Sequence, residues 1–174
     1  MPATNNVTRL LDSHKIPYTA FELPNEKLGA TETARLLGVP AETVYKTIVV
    51  TRPKPGKPIL AVIPGPNRVD LKLLAIALNE KKMSLPTERE AEQLTGLQAG
   101  GISPLALINK GFQVVIHSAA KNLVEVHVSG GQRGLNIRLP VSALAGLTRA
   151  RFAEISVPET ESSQAFDIFY SIAN

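Results

Sequence analysis

Three short segments carry residue types that could do chemistry. The first is Val44-Tyr45-Lys46-Thr47, where a predicted helical turn runs into a β-branched stretch. A lysine at a strand entrance can project into a cleft and hold a phosphate as a point charge; it can equally be a solvated lysine. The second is Gly100-Gly101-Ile102-Ser103-Pro104. Adjacent glycines free the backbone to aim N–H groups at a phosphate or a developing oxyanion. Pro104 has no N–H, so the useful donors end at Ser103. The third is Ser129-Gly130-Gly131-Gln132-Arg133-Gly134-Leu135-Asn136, a strand end that turns on three glycines and returns carrying an amide. Either glycine segment also reads as an ordinary turn. Neither a Walker A motif nor a dinucleotide fingerprint is present. Ser103 lacks the Gly-x-Ser-x-Gly setting of a nucleophile. His117 and His127 fall on strand patterns and read as core or edge histidines. No evident acid–base or nucleophile set exists, so an enzyme built on these residues would work by positioning and backbone electrostatics.

The rest of the composition narrows the class. The chain has 174 residues and no cysteine, which excludes disulfide scaffolds, zinc–thiolate sites, iron–sulfur clusters and thiol nucleophiles. Its 3 histidines are too scattered for a metal cage. With 44% hydrophobic and 20% charged residues it is not a disordered chain. No apolar run approaches the ~20 residues of a membrane helix, and the first residues lack a signal-peptide pattern. The expectation is a cytoplasmic, soluble protein without metal or cofactor. The net charge is +4, but all 19 Lys and Arg lie at or before Arg151, while Glu154, Glu159, Glu161 and Asp167 follow it. A basic body with an acidic tail favours a polyanionic partner.

The elements that must position these segments follow from periodicity and caps. Residues 4–14 place Val7, Leu10, Leu11 and His14 on one helical face. Tyr18–Leu23 alternates as a short strand. Thr31 opens a second helix that Gly38 ends, and Pro40–Val44 makes one further turn. Thr47–Thr51 and Ile59–Ile63, joined by the turn RPKPGKP, form an antiparallel pair. Asp70–Leu78 is an amphipathic helix. Thr87 caps the next with Glu90 completing a capping box, and that helix ends near Gly96. Residues 96–104 are too glycine-rich for regular structure. Gln113–Ile116, Val124–Val128 and Leu135–Leu139 are strands, and Pro140 starts a last helix through Gly146. Interleaved helices and strands with several short turns predict an α/β or α+β domain on a mixed sheet.

Together and in this order, Val44-Tyr45-Lys46-Thr47, the helix start Asp70-Leu71-Lys72, Gly100 to Pro104, and Val128 to Leu135 resemble the YbaK family of aminoacyl-tRNA deacylases. The likeness is to its Cys-tRNA(Pro) deacylase branch, related to the editing domain of some prolyl-tRNA synthetases, and runs from about residue 5 to about residue 156. The resemblance implies one compact domain over residues 1–157, with helices around a mixed six- or seven-stranded sheet. Residues 158–174 extend past the resemblance as an acidic tail, in which Phe166, Phe169, Tyr170 and Ala173 follow the spacing of a short helix. The resemblance implies a trans-acting editing hydrolase that cleaves the ester of mischarged aminoacyl-tRNA, either Cys-tRNA(Pro) or a tRNA bearing another small amino acid. It also implies prolyl-tRNA synthetase as a further partner. The alternative is a catalytically silent module that recognises tRNA ends or aminoacyl groups.

The family's roles carry over onto Lys46, which would hold the terminal phosphate, and onto Gly100, Gly101, Ile102 and Ser103, whose amides would face the scissile carbonyl. Thr47, Pro104, Ser129, Gly130, Gly131, Arg133 and Asn136 would line the substrate pocket. Two departures stand out. The family's Gly-Leu-Asp-Ile reads Gly134-Leu135-Asn136-Ile137 here, so Asn136 would offer the substrate's ammonium a neutral carbonyl. Phe21-Glu22-Leu23 stands where close relatives carry a tyrosine.

Overall fold

The computed structural model describes residues 4–53 and 55–159. Helix α1 (Asn6–Ser13) begins at a capping box in which Asn5 and Thr8 satisfy each other's backbone N–H. Strand β1 (Thr19–Glu22) follows, then α2 (Ala30–Leu37), which stops at Gly38 in the left-handed conformation. A single 3₁₀ turn (Ala41–Thr43) feeds β2 (Tyr45–Val50). Strands β3 (Ile59–Pro64) and β4 (Asn67–Val69) lead to α3 (Leu71–Leu78). Asp70 caps α3 by accepting from the Leu73 N–H at 3.0 Å. Helix α4 (Glu88–Thr95) carries the Thr87–Glu90 capping box and ends at Gly96. Then come β5 (Gln113–His117), β6 (Glu125–Ser129), β7 (Leu135–Pro140), α5 (Val141–Thr148), β8 (Arg151–Ala153) and β9 (Ser156–Pro158).

The strands form a three-stranded antiparallel sheet, β1-β7-β6, and a four-stranded mixed sheet, β2-β3-β5-β8. A single parallel bridge from Val44 to His127 joins them, so seven strands run on through the molecule. The expected antiparallel pair is β2 with β3, in register from Tyr45↔Pro64 to Val50↔Ile59. A separate small ribbon pairs β4 with β9, and the Glu159 N–H reaches the Pro66 carbonyl. The chain is therefore held to the body through Glu159. The short helix expected around Phe166 lies outside the described residues.

Strand β3 shows how the sheet is held. All six of its residues are buried, which is what a central strand covered on both faces requires. Leu60 and Val62 enter one apolar cluster with α1, β6, β7 and α5; Ile59, Ala61 and Ile63 enter a second beneath α3. Each of these Leu, Ile and Val side chains contributes about 1.5–3 kcal/mol by leaving water. Helix α3 is more apolar than amphipathic: Leu74 and Ala75 are buried, yet Ile76 stands 77% exposed.

Candidate functional site

Strand β2 lies at the edge of its sheet, and its outer edge is clamped at two points. At one end Val44 bridges to His127. At the other, Thr51 and Ser84 exchange N–H···O bonds of 2.9 and 3.0 Å. In an antiparallel strand successive residues direct their N–H and C=O alternately to the two sides. Thr51 points away from β3, so Val49 and Thr47 do too. On the opposite phase, the Val44 carbonyl accepts from the Gly65 N–H at 2.8 Å, just past the end of β3. Between the clamps the sheet lacks a strand, and a cavity of about 390 Å³ fills that gap. Five consecutive β2 residues, Tyr45 to Val49, line it. Side chains alternate between faces, so a run of five means the cavity meets the strand's edge rather than one face.

The predicted site residues divide around this slot. Lys46, Thr47, Gly100, Ile102, Ser129 and Asn136 line it; Gly101, Ser103, Pro104, Gly130, Gly131 and Arg133 stand behind its wall. Lys46 Nζ donates to the Gly65 carbonyl at 3.0 Å. An ammonium has three donors, so two remain for a ligand. Burial lowers the Lys46 pKa from its ordinary value, partly opposed by Glu159.

The Gly100–Pro104 loop corrects one expectation. The Gly101 N–H already donates to the Gln98 carbonyl at 2.8 Å and is not free for a substrate. The left-handed φ belongs to Gly100, at +90°, not to Gly101. Gly101 is glycine for another reason: a Cβ there would lie 2.8 Å from Gln132 Cα and 2.9 Å from Arg133 N. The two glycine segments thus pack backbone to backbone. Arg133 reinforces the contact, its Nε donating to the Ala99 carbonyl at 2.7 Å. Gly100 and Ile102 are the loop residues that line the slot. Ser103 is fully buried and accepts from the Leu105 N–H at 3.2 Å, capping the turn Pro104–Leu107. Gly130 would place a Cβ 2.6 Å from Leu135 Cγ, and Gly131 lies against Val7 and Ala106.

Asn136 is 5% exposed, and its Oδ1 accepts from His127 Nδ1 at 2.9 Å. The carbonyl expected to meet a substrate ammonium is already engaged. Phe21 packs on the same histidine, ring centroids 5.6 Å apart, directly across from Asn136 on β1. Burial lowers the His127 pKa, with the Asn136 bond opposing it. Sequence reading missed the outer wall of the slot: Leu28 to Ala30 and Thr33 at the start of α2, and Leu85, Pro86 and Ala91 around α4. These are small or apolar residues without a motif. Lys27 and Glu88 form an ion pair beside them. Among the described residues no group of His, Asp and Glu could hold a metal ion, and no helix is long and apolar enough to cross a membrane.

The aminoacyl-tRNA editing domain matches residues 25–147, a stretch that contains every residue of the slot except Leu23. The chain belongs to that family. It is 36% identical over 156 residues to EbsC of Enterococcus faecalis, named as a candidate Cys-tRNA(Pro)/Cys-tRNA(Cys) deacylase, with 88% of this chain and 94% of that one covered. Among solved structures, the hypothetical protein APE2540 superposes with a TM-score of 0.80 at 23% identity, over 88% of this chain and all of that one. A candidate trans-editing enzyme for prolyl-tRNA synthetase gives 0.73 at 23% identity, over 91% of this chain and 100% of its own. These two establish the YbaK-like fold.

Proposed function

We propose that the protein is a trans-acting deacylase that hydrolyses the ester of mischarged aminoacyl-tRNA, with Cys-tRNA(Pro) or a tRNA carrying another small amino acid as substrate. On this reading it acts in the cytoplasm beside prolyl-tRNA synthetase. The observation that carries it is the meeting of Lys46, which keeps two unused donors, with Gly100 and Ile102 in one small, largely apolar slot. Lys46 holds the terminal phosphate of the tRNA. The apolar wall takes a small side chain. The Gly100 and Ile102 N–H groups face the carbonyl oxygen as charge develops on it. Losing one such donor typically costs about 3–4 kcal/mol of barrier, so a site with few reactive side chains still accelerates hydrolysis of an activated ester. The nucleophile is water or a group of the substrate itself.

The test is to incubate the protein with a panel of purified aminoacyl-tRNAs and follow loss of the ester. Release of a small amino acid from tRNA(Pro) is expected. Binding without ester loss from any member would overturn the enzymatic reading in favour of a recognition module.

A further inference from the structure

The free edge of β2 has the chemistry of a missing strand. The β2–β3 ladder takes up one side of β2 and leaves the main-chain N–H and C=O of Thr47 and Val49 directed to the other, where Thr51 exchanges two bonds with Ser84. An aminoacyl group, H₃N⁺–CHR–C(=O)–O, is spaced like one strand residue: a donor and an acceptor on either side of a Cα. It can meet such an edge as Ser84 meets Thr51, by a reciprocal pair of bonds. Thr47 is the better placed of the two. It follows Lys46 and is half-buried, whereas Val49 is 4% exposed. The other groups that could receive an ammonium are less suited. Asn136 Oδ1 is bonded to His127, Glu88 is paired with Lys27, and Glu26 stands exposed at the rim.

We infer that Thr47 binds the aminoacyl group through its main chain, as one residue of an added antiparallel strand, its carbonyl accepting from the α-ammonium and its N–H donating to the acyl oxygen. This rests on the slot being an aminoacyl-tRNA site. Recognition of this kind is blind to the amino acid's side chain and leaves selection by size to the apolar wall.

The experiment compares an aminoacyl-tRNA with the same tRNA bearing the acyl chain without its amino group, each rate divided by that ester's uncatalysed rate. The wild type should favour the amino substrate by about ten- to a hundredfold, the span of a hydrogen bond to a charged group. That preference should survive in Asn136→Ala and in Glu26→Gln. Separately, Thr47→Pro deletes the outward N–H and keeps every ladder bond, because an edge strand tolerates proline where its N–H faces away from the sheet. It should lower kcat with the melting temperature near wild type. If it fails to fold, the substrate comparison decides alone. Equal normalised rates on the two esters, or a preference lost in Asn136→Ala or Glu26→Gln, would overturn the inference while leaving the deacylase reading intact. No hydrolysis of any aminoacyl-tRNA would remove that reading itself.

Discussion

Lys46 sits where function and stability pull in opposite directions. Its folded pKa is depressed by burial, so the folded state binds its proton less tightly than the unfolded chain does. The associated stability is present above the ordinary lysine value of 10.5 and is lost as pH falls through the folded pKa. At neutral pH the charged lysine therefore costs stability. Lys46→Met should abolish most deacylation yet melt above wild type at pH 7, and the gain should shrink as pH rises through the depressed folded pKa toward 10.5. A lower melting temperature at pH 7 would mean that the Gly65 bond outweighs desolvation. His127 follows the same sign at lower pH. Its pKa is depressed from 6.5, so its contribution is present above 6.5 and lost as pH falls through the folded value. Asn136→Asp sets a carboxylate beside the ring and favours the imidazolium. Melting curves from pH 8 down to pH 5 should then show the variant losing less stability on acidification than wild type. Parallel curves would mean that the two side chains do not couple. Lys46 stood out in the sequence as a charge at a strand entrance, a place that a solvated lysine also fills. The bond between Asn136 and His127 was not legible, since the two are diagonal neighbours across a strand pair and no spacing rule announces such a contact.

Elements that signal their own ends were legible; those made by distant partners were not. Gly38, the Thr87–Glu90 box and Gly96 mark helix boundaries locally, and the structure keeps each of them. The ribbon of β4 with β9, the pairing of β1 with β7 and the three-residue β8 join segments far apart in sequence, and short strands carry too little periodicity to show. The slot was hidden for the same reason. It is a gap in a sheet, and a missing strand leaves no residue pattern. The glycine loops were legible as loops, but their mutual packing was not. That packing changes what Gly101 is expected to do. Gly101→Ala must push the Gln132–Arg133 backbone aside, and overpacking of this sort costs about 1–3 kcal/mol. The variant should lose both activity and melting temperature, together. Lost turnover with an unshifted melt would return Gly101 to a direct role at the substrate.

At the scale of the whole molecule, charge decides how the substrate arrives. The chain's net charge of +4 conceals a basic body, since no Lys or Arg follows Arg151 while four acids do. Such a body draws a polyanion by counterion release, and log K falls linearly with log salt in proportion to the phosphates neutralised. Exposed Lys and Arg side chains would share most of those contacts. Lys46 differs, because it lines the slot with two donors beyond its Gly65 bond, and on the proposed reading the tRNA terminus is what enters there. Removing it should therefore take one phosphate from the count and leave the rest. Measured by tRNA binding over a salt series, the wild-type slope should be clearly negative, and Lys46→Met should reduce its magnitude by about 0.7–0.9, one contact's worth. Affinity should fall at every salt concentration, and least at the highest, where the electrostatic share is smallest. A slope equal to wild type would place the Lys46 ammonium away from any phosphate, and its effect on turnover would then have to act on the ester alone.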